Sequence, residues 1–531
     1  MKHIMYIWHR KYLFFALLII NGGCSDWLSK DPENVVTEKK LFATSYGFRT
    51  ALNGLYDKIS DEDLYGRELS FAFIDVLSQQ YDIDKSDMYD DTYLELDAYK
   101  FTSESVISIT ENIWSDSYAI ISNANNILKN IKNKDKDFFS KGLLEKNMIS
   151  GEALACRAFM HFDILRIFAP SPISDDGNKY IPYVSEFADL QPGAKTVSEC
   201  LTNIITDLDS ARNLTASFDT TKIGIEGMSS KELRFLGKYT SNSELANLNI
   251  FFKNRGFRLN YYSITALLAR VYQYAGEYDK AKECAEEVIN FKTNKDEDMF
   301  DFDTYGIEHA LGVSNWESIL DMWNNKTNLR LLDNLIFAAY NPVLEESAST
   351  TKFLYKELPA AVKPEYFEVN ANKGALFTST NGDDESKVDI RSKYMLFATN
   401  EGSNIISGKW YISDNEETCH NSFNIIPLIR LTEMYYIAAE SYAREANYSK
   451  AAELINKVRS KRGCNTLVEI NSLYQFQKEL INDARREWIS EGQLFYLYKR
   501  LNYKVDFLDG STPRVLNKQE AVIPIPDNQS Y

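Results

Sequence analysis

The sequence is poor in the residues from which disulfide frameworks, metal centres and catalytic sites are most often built. Its 531 residues include six cysteines and five histidines. The cysteines form no C-x-x-C pair, and the three histidines beyond residue 24 form no H-x-x-x-H or H-x-E pattern. This spacing indicates neither a disulfide scaffold nor a zinc site. We therefore predict no catalytic residues, no bound metal and no cofactor.

The chain also lacks a basic run and, after its first residues, a long apolar run. Its formal net charge is −17, which argues against nucleic acid as a partner, because phosphate backbones are bound by clustered Lys and Arg. No later segment has the roughly 20 consecutive apolar residues that a membrane-spanning helix needs. With 44% hydrophobic and 25% charged residues, the composition predicts a globular protein with a large core.

The first 24 residues have the organisation of a secretory signal peptide that ends at a cysteine. A positively charged start is followed by a short apolar segment, Tyr12 to Ile20, and by two glycines ahead of Cys24. This order predicts that residues 1–23 are removed and that Cys24 carries the lipid of a bacterial lipoprotein. Each buried methylene contributes ~0.8 kcal/mol, so several acyl chains hold a soluble body at a bilayer. A secreted protein with an incidental cysteine is the alternative.

Apolar residues at helical spacing predict a mainly α-helical fold built from paired helices. In "YYSITALLARVYQYAGEYDKAKECAEEVI" two apolar stripes are separated at Gly276. The small residues Ala269 and Ala281 match the tetratricopeptide pattern, in which paired helices approach closely. Helix pairs are predicted near residues 112–168, 258–291 and 426–463. One such pair cannot bury its apolar face alone, so the pairs are expected to stack.

Long segments without helical periodicity lie between these pairs. The largest are near residues 60–110 and 292–425, and they are rich in Asn, Asp, Ser, Gly and Tyr. Long irregular segments inside a compact protein are usually functional. A helical scaffold that carries such loops, with a few short strands, is more typical of recognition than of catalysis.

Motifs spread from Cys24 to the last residues resemble the SusD/RagB family of outer-membrane lipoproteins from Bacteroidota. In chain order they are "CSDWLSKDPENVVTEKKLF", "ALNGLYDKI", "IWSDSYAIISNANNIL", "GEALACRAFMHFDILRIFAPSP", "IIPLIRLTEMYYIAAES", "INKVRSKRG", "ARREWISEGQLFYLYKR" and "VIPIP". The family often has Arg and Asp after the Glu-Gly step, where this chain has Leu494 and Leu497. Any one motif is weak evidence, but their order along the whole chain makes the resemblance specific.

The resemblance implies an all-α fold, namely a SusD-like α-α superhelix with tetratricopeptide-type helix pairs, over residues 24–531. It also implies a nutrient-binding protein that faces the cell exterior, is lipid-anchored in the outer membrane and caps a SusC-like TonB-dependent porin. Oligosaccharides are the implied cargo, and oligopeptides are the alternative. A hydrolytic surface lipoprotein is a third interpretation, which predicts two converging carboxylates in an open cleft.

Candidate ligand-binding residues follow from the same resemblance, because family members contact ligands largely through loops after the first helices and after the central helix pair. A tyrosine or tryptophan ring can carry a sugar face while amide and carboxylate groups bind its hydroxyls. The matching positions are Asp75, Gln80, Tyr81, Tyr89, Tyr93, Trp323 and Trp410. The aspartates from Asp82 to Asp91 lack the order of a calcium loop and predict a solvated acidic loop.

The charged residues of the C-terminal motifs have a structural interpretation. Arg430 and Glu433 are three residues apart, and Arg486, Glu487 and Glu491 follow in the next motif. Buried charges must be paired or hydrogen-bonded. We therefore expect these side chains to hold the C-terminal helices together.

Overall fold

The computed structural model describes residues 37–83, 91–188, 192–241, 243–302, 329–344, 367–369, 376–398, 405–410, 423–507 and 512–527. Helices dominate these ranges, and their strands form two-stranded antiparallel sheets, so the predicted mainly α-helical fold is confirmed. Cys24, Tyr89 and Trp323 lie outside these ranges. The division into a leader, residues 1–23, and one domain, residues 24–531, stays a prediction. None of the helices in these ranges combines the length and the apolarity needed to cross a membrane.

The N-terminal part of the chain is a stack of helices. Its elements are α1 (Glu38–Leu41), α2 (Ser45–Ile59), α3 (Phe73–Val76), α4 (Asp91–Asp97), α5 (Glu104–Lys132), α6 (Gly142–Phe168), β1 (Lys179–Pro182), β2 (Ala194–Thr196), α7 (Val197–Asp219), α8 (Lys222–Met228) and α9 (Lys231–Arg234). Helix α6 is buried on almost every side, because α5 packs on one face and α7 on another. This explains why the apolar residues of "ALACRAFMHFDILRIF" lie on every side of the helix instead of forming one stripe, and why its charged residues are buried as well.

The central helix pair consists of α10 (Tyr261–Ala275) and α11 (Tyr278–Ile289). Helix α10 begins at a capping box. The Ser263 N–H donates to the Asn260 side-chain oxygen, and the Asn260 N–H donates to the Ser263 hydroxyl. It ends at Gly276, whose φ of 81° allows the tight turn into α11. Ala269 and Ala281 are fully buried, as expected for closely packed paired helices. The predicted tetratricopeptide-type pair is therefore present.

The C-terminal part adds a second helical unit and most of the strands. Its elements are β3 (Leu335–Tyr340), α12 (Ile390–Tyr394), β4 (Leu396–Ala398), β5 (Ile405–Ser407), β6 (Ile425–Arg430), α13 (Leu431–Arg444), α14 (Tyr448–Lys461), α15 (Leu473–Glu487), α16 (Leu494–Leu501), β7 (Lys504–Val505), β8 (Arg514–Val515) and α17 (Lys518–Ala521). The helix pair expected from residue 426 begins at Leu431 instead. Residues 425–430 form a strand because Ile-rich sequence favours extended backbone and Pro427, which has no N–H, sits where the β3–β6 register shifts.

The described cysteines belong to the packed interior. Cys156, Cys200, Cys284 and Cys464 are buried free thiols. Burial raises the pKa of Cys156 and of Cys284 to about 12, which keeps both thiols protonated. Both side chains are therefore packing residues of the core.

Candidate functional site

Three short chain segments meet where several of the long irregular segments begin and end. Tyr81 pairs with Val369, and Glu368 pairs with Ile406, in antiparallel bridges. The Asp82 N–H donates to the Glu368 carbonyl at 2.8 Å, and the Val369 N–H donates to the Ile405 carbonyl at 2.7 Å. We call residues 81–83, 367–369 and 405–410 the loop base. These segments border residues 84–90, 345–366, 370–375, 399–404 and 411–422.

Tyr81 lies at the centre of the loop base and is buried. Its ring stacks on Phe367 with centroids 4.9 Å apart and planes 16° from parallel. Its hydroxyl lies within hydrogen-bonding distance of the Phe71 carbonyl, the Asp75 carboxylate and the Ser490 hydroxyl, at 3.0, 3.2 and 2.9 Å. Burial raises the pKa of Tyr81 well above its usual value. Tyr81 therefore ties the loop base to the turn after α15.

Asp75 makes the same connection through its carboxylate. It accepts hydrogen bonds from the N–H groups of Ser490 at 2.6 Å and of Gly492 at 3.2 Å. Burial raises the pKa of Asp75 to about 7, although these hydrogen bonds and Lys409 act in the opposite direction. The turn that it binds needs Gly492, because φ there is +69° and a Cβ would lie 2.3 Å from the Leu69 carbonyl oxygen.

Trp410, the last residue of the loop base, also contacts the turn after α15. Its indole N–H donates to the Ser490 carbonyl at 2.8 Å, and its ring packs on Phe71 with a centroid distance of 4.5 Å. The Arg330 guanidinium lies 4.7 Å from the Trp410 ring centroid. Arg330 also donates to the Phe423 carbonyl, so it joins the chain on both sides of residues 411–422. The loop base is thus stabilised by packed aromatic rings and by hydrogen bonds from Tyr81 and Trp410 to Ser490.

Buried ion pairs fasten the loop base to the C-terminal helices. Lys409 pairs with Glu491 at 2.7 Å and also donates to the Glu487 carbonyl. Glu491 accepts two hydrogen bonds from Arg430, both at 2.6 Å. Burial alone would raise the pKa of Glu491, but Arg430 and Lys409 outweigh it and hold that pKa below its usual value. These charges are fixed in place, because a buried charge without its partner is strongly destabilising.

A second group of ion pairs holds helix α12, just ahead of the loop base. Arg391 pairs with Asp389 and Asp483 at 2.8 Å and with Glu487 at 3.0 Å. Glu487 is shared with Arg462 at 2.6 Å. Burial would raise the pKa of Glu487, but Arg462 and Arg391 keep it well below its usual range. The segment with α12 is therefore clamped between α14 and α15.

Two cavities between residues of the described ranges are too small for a sugar. One cavity of about 40 Å³ is lined by Arg166, Arg270 and Tyr274, among others, and a second of about 80 Å³ lies beside Pro170 and Lys499. Ligand pockets for small molecules are typically ~300–1,000 Å³, so neither cavity fits an oligosaccharide. Within the described ranges, no cluster of three or more His, Cys, Asp or Glu side chains forms a metal site.

Family models match both ends of this architecture. A model described as starch-binding, associating with outer membrane, matches residues 26–221, and a model described as the SusD family matches residues 366–501. Together they cover well over half of the chain. The chain belongs to the SusD/RagB family. The predicted family membership is confirmed.

This SusD/RagB chain is similar in sequence to one relative and in fold to several solved structures. SusD-like protein P2 of Formosa agariphila is 27% identical over 207 residues, which are 38% of this chain and 37% of that relative, so the alignment spans little more than a third of its length. A SusD superfamily protein of Bacteroides thetaiotaomicron has a TM-score of 0.64 at 20% identity, with 92% of this chain and 97% of that chain covered.

A third relative was solved with a glycan. Surface glycan-binding protein A of Bacteroides thetaiotaomicron, in complex with laminarihexaose, has a TM-score of 0.61 at 14% identity. The likeness covers 92% of this chain and 97% of that chain. At these identities the likeness of the two solved structures shows the fold alone.

In this SusD/RagB chain, five of the seven predicted ligand-binding residues lie inside the protein. They are Asp75, Gln80, Tyr81, Tyr93 and Trp410, and each is less than 7% exposed. The irregular sequence around residues 60–83 folds inward beneath the loop base, so these side chains are buried, and their role in ligand binding stays a prediction. Tyr93, for example, meets the Phe367 ring edge to face at 5.0 Å. Their part in this structure is to support the loop base.

Sequence reasoning missed one exposed aromatic residue close to these segments. Tyr340 ends β3, is 47% exposed and packs against Phe257 at 5.4 Å. The next residue, Asn341, donates to the carbonyls of Ser60 and Asn424, and thereby holds the start of the segment that leads to residue 345. In β3, "LIFAAY", the first five side chains are buried and only Tyr340 is exposed, and the sequence letters alone carry no alternation that would have indicated this.

The charged residues of the C-terminal motifs are buried and paired, as predicted. Glu433 pairs with Arg270 of α10 at 2.6 Å, and Arg430 pairs with Glu491 rather than with Glu433. Arg486 pairs with Glu385 at 2.6 Å, ahead of α12. These ion pairs therefore join the C-terminal helices to the central helix pair and to the loop segments, instead of running along single helices.

Proposed function

We propose that this protein is a cell-surface nutrient-binding lipoprotein that captures oligosaccharides and delivers them to a SusC-like TonB-dependent porin. One observation carries the proposal. Five of the long segments begin or end at the loop base, which aromatic stacking and buried ion pairs hold in place. A rigid base lets loops present ligand groups at fixed positions, which reduces the ordering cost of binding.

The SusD/RagB family supports glycans as the cargo. Its matching model is described as starch-binding, and the structurally similar surface glycan-binding protein A was solved with laminarihexaose. The predicted contact residues outside the described ranges, Tyr89 and Trp323, remain candidates, and exposed Tyr340 joins them. Aromatic faces of this kind suit sugar rings, because the ring face is apolar while the phenol or indole edge can hydrogen-bond.

Capture and release without chemistry is the mechanism that we propose. A protein that passes its cargo to a pore must release it quickly, and affinity differences between related complexes lie mostly in the off-rate. We therefore expect dissociation constants between micromolar and millimolar, which correspond to about −8 to −4 kcal/mol. The glycan is expected to leave the protein uncleaved.

Isothermal titration of the mature chain tests the proposal. The panel contains laminarihexaose, starch-derived oligosaccharides, other glycan pools and a pool of oligopeptides. Binding of at least one glycan in the expected range, without new reducing ends, supports the proposal. Binding of peptides alone would assign the oligopeptide cargo instead, and hydrolysis of any glycan would overturn the non-enzymatic mechanism.

Variants locate the site once a glycan is known. Tyr340→Ala and Trp323→Ala should each weaken binding by about 0.5–1.5 kcal/mol, roughly two- to tenfold. Tyr474→Ala is the matched control, because Tyr474 is 69% exposed and lies at the start of α15, one helix length of ~22 Å from the turn that holds the loop base. Equal losses for the control and the test variants would contradict the proposed position.

Delivery to a porin is tested by affinity purification. The lipidated protein, tagged at its C-terminus, should retain a TonB-dependent porin from solubilised outer membranes, and a glycan bound by the protein should enter cells only when both are present. Uptake that is unchanged when this protein is deleted would contradict delivery.

A further inference from the structure

Five helices line one small cavity in the interior of the protein. Helices α6, α10, α13, α15 and α16 all contribute side chains to the cavity of about 40 Å³. Its charged side chains are three arginines, Arg166, Arg270 and Arg500, and one carboxylate, Glu433. The cavity wall is therefore positive, although the formal net charge of the whole chain is −17.

Three hydrogen-bond donors at this cavity have no partner among the described residues. They are Nε of Arg166, Nη1 of Arg270 and the hydroxyl of Tyr274. Each of these side chains belongs to a residue that is 5% exposed or less, so bulk solvent does not reach the donors. A buried donor without a partner is destabilising, and such groups in native proteins are usually bonded to protein, water or an ion. We therefore expect the three donors to share a bound species.

The other hydrogen bonds of the two arginines fix the direction of these donors. Arg270 donates to Glu433 through Nε and Nη2, both at 2.6 Å, so Nη1 lies on the side of the guanidinium away from that carboxylate. Arg166 donates through Nη2 to Asp163 and through Nη1 to Gln493 at 3.3 Å, which leaves Nε. Because a guanidinium is planar and rigid, neither free N–H can turn to another partner without breaking these bonds.

Tyr274 supplies the third donor. Burial raises the pKa of Tyr274, although Arg166 and Arg500 act in the opposite direction, so its hydroxyl stays protonated and can donate. The Arg166 guanidinium lies 3.8 Å from the Tyr496 ring centroid and 4.7 Å from that of Phe162. These rings contact the face of the guanidinium, so its remaining N–H has to be bonded in its own plane.

The ion pairs around the cavity contain more arginines than carboxylates. They pair Arg166 with Asp163, Arg270 with Glu433, and both Arg444 and Arg500 with Glu440. Four arginines and three carboxylates give this group one excess positive charge. Burial and the neighbouring Arg166 also lower the pKa of Lys499 well below its usual value. The surroundings of the cavity therefore favour a single negative charge.

We propose that this cavity binds one chloride ion, which accepts hydrogen bonds from Arg166 Nε, Arg270 Nη1 and the Tyr274 hydroxyl. An anion accepts several hydrogen bonds without needing an acceptor in return, whereas a water molecule also has to donate its own hydrogens. A single water needs ~10–15 Å³, so about 40 Å³ has room for a small ion and excludes a sugar. The ion joins α6 of the N-terminal stack to α10 of the central helix pair.

Thermal unfolding in two salts tests the site. The mature chain with Cys24→Ala is exchanged into chloride-free buffer, and its unfolding midpoint is measured in rising sodium chloride or in sodium gluconate of equal ionic strength. A ligand that binds only the folded state stabilises it by mass action. The midpoint should therefore rise by at least ~1–2 °C in chloride relative to gluconate, whose anion is too large for the cavity. Equal midpoints in the two salts would overturn the proposal.

Tyr274→Phe removes one of the three donors and keeps the ring. In gluconate the variant should be at least as stable as its parent, because it no longer buries an unbonded hydroxyl. Its dissociation constant for chloride, obtained from the chloride dependence of the midpoint, should rise at least ~10-fold, as expected for loss of a hydrogen bond to a charged group. An unchanged dissociation constant would overturn the proposal.

Tyr262→Phe is the matched control. Tyr262 is also buried on α10, but its hydroxyl donates to the Asp219 carbonyl at 3.0 Å and the residue does not line the cavity. This variant should lose the same stability in both salts and keep the parent's chloride dependence. An equal loss of chloride dependence in the two variants would overturn the assignment to this cavity.

Anomalous scattering locates the ion directly. Crystals of the mature chain grown without chloride and soaked in sodium bromide should show an anomalous peak between Arg166 and Arg270. Density for water alone would overturn the proposal, and so would a peak without a chloride-dependent midpoint, which would mean binding at crystal concentration only. None of these measurements involves a glycan, so their failure would leave the proposed function unchanged.

Discussion

Neutralising Glu487 should loosen the loop base and weaken ligand binding. This carboxylate is buried, and its two oxygens accept from Arg462 at 2.6 and 3.0 Å, from Arg391 at 3.0 Å and from Thr432 at 2.8 Å. Glu487→Gln keeps the size and one acceptor oxygen but removes the charge that two buried guanidinium groups share. Removing one partner of a buried ion pair costs ~3–5 kcal/mol. We expect a loss at the lower end of this range, because the amide oxygen still accepts.

Glu440→Gln is the matched control for this change. Glu440 is also fully buried and accepts from two arginines, Arg444 at 2.8 Å and Arg500 at 2.6 and 2.8 Å. It lies on α13 and makes no contact with the loop base in the described ranges. Both variants should therefore lose a similar free energy of unfolding, but only Glu487→Gln should affect residues 376–410.

Two assays separate the effects. Urea titrations followed by circular dichroism give the free energy of unfolding of each variant. Amide hydrogen exchange should then show faster exchange in residues 389–398 of Glu487→Gln only, accompanied by weaker glycan binding. The reasoning is refuted if Glu487→Gln changes the free energy of unfolding by less than ~1 kcal/mol, or if the control weakens glycan binding equally.

Three further predictions follow from single residues. Burial raises the pKa of Asp75 from 3.8 to about 7, so the folded state keeps a proton that the unfolded state releases, and the free energy of unfolding should decrease as the pH rises from about 4 to about 7. Urea titrations of Asp75→Asn should show a flatter pH dependence in this range, and an unchanged dependence would contradict this assignment. Gly492→Ala should destabilise the protein by at least ~1–2 kcal/mol in the same titrations because of its left-handed backbone, whereas Gly54→Ala, with open space at its Cβ, should be neutral or stabilising. Cys24→Ala should move the protein from the membrane fraction to the soluble fraction, and continued membrane attachment would refute the lipid anchor.

Local sequence patterns were sufficient for the helix pairs. The apolar residues that include Leu267 and Val271 recur with helical spacing, Gly276 interrupts them, and small residues lie where α10 and α11 pack. Each of these signals comes from residues close together in the chain. The strand at residues 425–430 was not foreseen, since its apolar residues also fit a helix. Its partner β3 lies about 90 residues earlier, and pairing at that distance leaves no local signal.

The interior of the loop base could not be predicted for the same reason. Tyr81 and Trp410 are amphipathic residues in Asn- and Asp-rich surroundings, which suggests exposure, yet both rings are covered by residues hundreds of positions away. Their polar atoms are satisfied by Ser490, so burial costs little. Pairing of the C-terminal charges was predictable from the cost of burying them, but the choice of partner depended on the tertiary fold.

The bond from Asp75 to Ser490 also sets an order of events during biogenesis. These residues are 415 positions apart, so the loop base cannot be completed until nearly the whole polypeptide is available. The early helices, whose contacts are mostly between neighbours in the chain, can pack before that time. We therefore expect a C-terminally truncated chain to fold its early helices without completing the loop base.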